Sequence, residues 1–179
     1  MIDKQQLNDF FQYFEKELVI ELIDLANKNI PEIITAIAKD IDDLDFVDLK
    51  RNACQIRGIC SSFNDPISSN IARDIEDAAG NKLIEITRIT LSEFPEIRAK
   101  KEPSHSAHGH WLEVMSAGSP KNYLISLIGP FADEDSLKLA ALEKRIMAEG
   151  IPEMFSELKV AATLLLEEMQ IIKQELMAG

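Results

Sequence analysis

The stretch RNACQIRGIC, residues 51–60, decides how the chain is read. Within it Ala53, Ile56 and Cys60 are spaced three and four apart, and Leu49 and Phe63 continue the row on either side. That spacing is one stripe of a helix with 3.6 residues per turn. A helix is therefore expected from about Phe46 to Phe63 with this row inward. The opposite face carries Lys50, Cys54, Arg57, Gly58 and Ser61. A glycine inside a helix costs roughly 1 kcal/mol against alanine. Beside Cys54 that cost has a use if another backbone must approach closely.

Working outward, the chain is mostly helical in pattern. Asp3, with Gln6 three residues on, reads as a capping box. Leu7, Phe10, Phe11, Phe14, Leu18, Val19, Leu22, Ile23 and Ala26 recur with helical period. Pro31 fits the first turn of a continuing or kinked helix with Ile33, Ile34 and Ile37 inward, and the acidic link DIDDLD, residues 40–45, ends that unit. Asp65 is a cap and Pro66 a first helical residue. Gly80 is expected just past the end of that helix, whose inward row is Ile67, Ile71, Ile75 and Ala78. Residues 82–101 look helical but Pro95 should break them.

From residue 103 the texture changes. EPSHSAHGH is a loop, and WLEVMS and YLISLIG around AGSPKN read as two short strands of a hairpin. Helices return at about 134–148 and 152–177. The last carries a seam of Ile151, Phe155, Leu158, Ala162, Leu165, Met169, Ile172 and Leu176, suited to bundle packing within or between chains. The segments FNDPISSNIARDIEDAAGN and FADEDSLKLAALEKRIMAEG echo each other faintly, each with Phe, a cap, a helix and a glycine.

Composition narrows the function classes. The 179 residues carry 31 acids against 19 bases, a formal charge of −12. A nucleic-acid groove needs clustered Lys and Arg, so none is expected. Two cysteines six positions apart on one helix point different ways and cannot bridge, which suits a reducing, cytoplasmic setting. The apolar runs are too short for a membrane span, and the first residues do not resemble a signal peptide. No P-loop, nucleophile elbow, dinucleotide turn or kinase motif is present, so neither an enzyme nor a cofactor is expected.

Ala53-Cys54-Gln55-Ile56-Arg57-Gly58, then Cys60, Ser61, Ser62 and Phe63, and later Ile75-Glu76, form one register. It resembles the histidine-containing phosphotransfer (HPt) domain of bacterial signalling relays, whose pattern is roughly Ala-His-x-Leu-Lys-Gly, then small residues, then Leu-Glu on the next helix. The lead-in from Asn29 to Lys50 also matches, and the resemblance runs from Leu7 to Asn81. It implies an all-α, antiparallel four-helix bundle over residues 1–102 that docks on the receiver domain of a response regulator or hybrid kinase. Residues 103–179 form a C-terminal extension, packed into the same bundle or inserted before its closing helix.

Cys54 stands where the family has its phosphoacceptor histidine. A thiol, with a pKa near 8.5, is a different nucleophile from an imidazole. The expectation is a docking protein that passes no phosphate, with Lys50, Cys54, Arg57, Gly58 and Ser61 as its partner-binding face. Phosphocysteine or redox chemistry at Cys54 is one alternative. A metal or enzyme site on His105, His108 and His110 is another, against a plain solvated loop. The third is a homodimer through helix 152–177.

Overall fold

The computed structural model describes residues 13–93 and 133–178. Five helices run through them: α1 (Lys16–Asp43), α2 (Phe46–Ser62), α3 (Pro66–Glu93), α4 (Asp133–Met147) and α5 (Ile151–Ala178). No strand occurs among the described residues, and the expected hairpin over residues 111–129 lies outside them. So do the Asp3 cap and the apolar positions Leu7, Phe10 and Phe11.

α1 runs unbroken through Pro31. Val19, Ile23, Ala26, Ile30 and Ile37 form its buried row. It stops where Leu44 adopts a left-handed φ of 58°, and the Asp45 N–H turns back to the Asp40 carbonyl at 2.8 Å. The next helix starts at once, because the Asp45 carboxylate accepts from the Val47 and Asp48 N–H groups at 3.1 and 3.0 Å. α2 then turns Phe46, Leu49, Ala53, Ile56 and Cys60 inward. It closes through Asn64, also left-handed, and Asp65 Oδ1 accepts from the Ile67 N–H at 3.2 Å to start α3 behind Pro66.

α3 departs from the expectation in two ways. It does not end at Gly80 but continues to Glu93, just ahead of Pro95, so the echo with the segment ending at Gly150 fails at its glycine. Of these two glycines only Gly150 has the left-handed backbone of a helix end, with φ 83°. The inward row is also rotated. Ser68, Ala72, Ile75, Ala79, Leu83 and Ile86 are buried, whereas Ile67 is 48% exposed and Ile71 only half-buried. Small residues at Ser68, Ala72 and Ala79 give α2 room to lie close, and close approach wins over burying the larger isoleucines.

The helices pack side by side: α2 on α1 and α3, α5 on α3 and α1, and α4 on α3. α5 buries the seam from Ile151 to Ile172, with Leu176 partly buried, in one hydrophobic core with the first three helices. Ion pairs also lie at both ends of α5. Lys82 of α3 meets Glu149, just before α5, at 2.6 Å, and Lys173 of α5 meets Asp24 of α1. No helix of the described residues is long and apolar enough to cross a membrane.

Candidate functional site

The α2 face opposite the core divides between two neighbours. Cys54 and Gly58 are exposed on the side toward α1. There they border a shallow depression with Asn29 and Ile33 of α1 and Ile59 and Ser62 of α2. Among the described residues, no neighbouring side chain or other helix comes within 4 Å of a Cβ built on Gly58, so none of them requires a glycine there. The backbone there has a local tie, with the Ser62 hydroxyl donating to the Gly58 carbonyl at 3.0 Å.

Lys50, Arg57 and Ser61 lean the other way, toward α3. The Ser61 and Ser69 hydroxyls share a hydrogen bond at 2.7 Å. Arg57 Nε lies 2.9 Å from Glu76 Oε2, a charge contact without hydrogen-bond alignment. The Arg57 Nη2 group donates to the Cys54 sulfur at 3.6 Å. The sulfur contact first, and Glu76 next, push the guanidinium further up from its already high value. Lys50 is half-buried, and its ammonium lies over Gly80 of α3, where an added Cβ would sit 3.2 Å from Nζ. Gly80 is thus explained as the gap through which this lysine crosses α3. Of the five residues expected on the outward face, Cys54, Gly58 and Ser61 are exposed, with Ser61 also bonded to Ser69, while Lys50 and Arg57 reach across to α3.

The other cysteine has a different environment. Cys60 is fully buried, and burial, with the Asp65 charge adding to it, pushes its thiol up to about 12. It is an inert core residue. At the far end of α2, the Asn52 amide donates to buried Asp40 at 2.7 Å. Desolvation nevertheless raises the Asp40 carboxyl, with Asp48 and Asp45 adding to the shift. The periodicity of α1 shows an apolar row and gives no sign of this buried acid, because its partner lies on another helix.

His105, His108 and His110 lie outside the described residues. Among the described residues no cluster of three His, Cys, Asp or Glu side chains is placed to hold a metal ion. No family model, curated protein or solved structure matches the chain.

Proposed function

We propose that this is an HPt-like signalling protein that docks a receiver domain of a response regulator or hybrid kinase without carrying phosphate. In this reading α1, α2, α3 and α5 are the four helices of an HPt-like bundle, and the setting is the bacterial cytoplasm. The reading rests on the register from Ala53 to Gly58. The observation that supports it is Gly58, an exposed glycine inside a helix with open space around it. Its cost of roughly 1 kcal/mol is offset by nothing among the described residues, and an incoming partner backbone supplies the reason for it.

The chemistry follows from Cys54. Relay requires a nitrogen nucleophile that accepts phosphate near neutral pH and hands it on. Cys54 offers a thiol whose sulfur already accepts from Arg57, itself in contact with Glu76. The docked receiver then meets a surface of the right shape with no acceptor. Such a protein competes with relay proteins for the receiver.

The test uses the full chain and a panel of phosphorylated receiver domains from the source cell. The wild type should bind at least one and take no label. Gly58→Leu should lose that binding without a fall in melting temperature. Cys54→His should gain label from the bound receiver, because it restores an acceptor at the docked position. Label on the wild-type chain, or binding to no receiver in the panel, overturns the proposal.

A further inference from the structure

A second surface lies between α3 and α5. Ile67 and Ile71 of α3 and Val160, Ala161 and Leu164 of α5 line an open groove of ≈ 480 Å³. Ile67, Val160 and Leu164 are 48%, 63% and 54% exposed. Single exposed aliphatic residues are ordinary, but a contiguous row of them in a groove marks an interaction site. The row arises from the rotation of α3 described above, which sends Ser68 and Ala72 to the core and leaves Ile67 and Ile71 at the edge. On α5 the core takes Leu158, Ala162 and Leu165, leaving Val160 and Leu164 one turn apart on the flank.

The rim of this groove is acidic. Glu157 lines it, Glu153 precedes Glu157 by one turn, and Asp74 follows Ile71 by one turn; all three are exposed. The nearest bases point elsewhere. At 100° per residue, Arg73 falls on the side of α3 toward α2, and Lys159 falls on the side of α5 away from the groove. The Lys159 ammonium sits over the Phe155 ring, 4.8 Å from its centroid.

We infer that this groove binds an amphipathic helix of another protein, with apolar residues one turn apart and Lys or Arg on their flanks. A groove between two packed helices accepts a third helix whose side-chain ridge fits it, read as anchors at i, i+4 and i+7. Flanking cations meet Glu153, Glu157 and Asp74, which sets the sign of the partner's charge. A second copy of this chain fits less well. It would bring a surface of the same sign to the same rim, on a molecule of net charge −12. The groove is lined by α3 and α5 and the Cys54 depression by α1 and α2, so the two surfaces are separate.

The test measures fluorescence anisotropy of labelled helical peptides of about 18 residues, five turns long, against the full chain. One has leucines at i, i+4, i+7 and i+11 with lysine elsewhere on the flanks. The second replaces the lysines by glutamate, and the third keeps the lysines and replaces the leucines by serine. The first should bind, and the other two should bind at least tenfold more weakly. Val160→Glu with Leu164→Glu should weaken the first peptide tenfold or more. Val160→Ser with Leu164→Ser is the milder pair should the charged pair fail to fold. Glu153→Lys with Glu157→Lys should shift preference toward the glutamate peptide. Equal binding of the serine peptide, or no effect of the groove variants, overturns the inference. So does a dimer in sedimentation velocity that the groove variants dissociate, since a second copy then owns the groove.

Discussion

Gly58→Ala should stabilise the protein. The substitution removes the glycine penalty in a helix interior, roughly 1 kcal/mol. Among the described residues nothing offsets that gain, because the new methyl group meets no neighbouring side chain or other helix within 4 Å. In a chain of this size 1 kcal/mol corresponds to a rise of about 2–4 °C in melting temperature. Gly58→Leu should keep most of the gain, since leucine is nearly as good a helix former and extends over the open depression. Gly80→Ala is the internal control. It gains the same propensity, but its Cβ lands 3.2 Å from Lys50 Nζ, so the lysine must shift and the net effect should be smaller. Differential scanning calorimetry of the three variants checks the ordering. A fall of several degrees for Gly58→Ala or Gly58→Leu would show that the position is covered, and the argument for docking at α2 would collapse.

Thiol chemistry gives an independent reading of α2: iodoacetamide should label Cys54 in the native chain and reach Cys60 only after unfolding, as peptide mass mapping would show. Two labelled thiols under native conditions would contradict the buried row. Leu158→Ala in α5 should cost about 2–5 kcal/mol in urea unfolding, the usual penalty for emptying a fully buried aliphatic site. A cost below 1 kcal/mol would mean that α5 does not complete the core. Asp40→Asn should be more stable than the wild type at neutral pH. The native carboxyl is raised, so its contribution is present below the unfolded carboxylate pKa and is lost as pH rises through the folded one. The difference between variant and wild type should therefore shrink on acidification, and a difference that grows toward low pH would refute the assignment.

Much of the helical layout was legible because it rests on strong local signals. Asp45, Asp65 and Pro66 act at helix starts through their own side chains and ring, and the α5 seam repeats at three and four over seven turns. What escaped the sequence was which of two adjacent stripes faces inward. Ile67 and Ile71 outrank Ser68 and Ala72 in hydrophobicity, yet the close contact with α2 selects the small residues, a choice made by the neighbouring helix. Gly80 misleads for a related reason. A glycine after an apolar row usually ends a helix, but here it makes room for a lysine from another helix. The candidate face was legible as a row of Cα positions. The destinations of Lys50 and Arg57 were not, since a long side chain ends several ångströms from where its helix position points.

α1, α2 and α3 are joined by turns of a few residues, whereas α5 begins at Ile151, far along the chain from Glu93. On the ribosome, which adds about 5–20 residues per second, the first three helices emerge seconds before the strip that covers them. Until then Ile23, Ile75 and Leu83 lack the α5 side of their core, leaving a sticky nascent surface for a chaperone to shield. Once α5 docks, Leu158, Leu165 and Met169 close that side of the core, and the exposure ends.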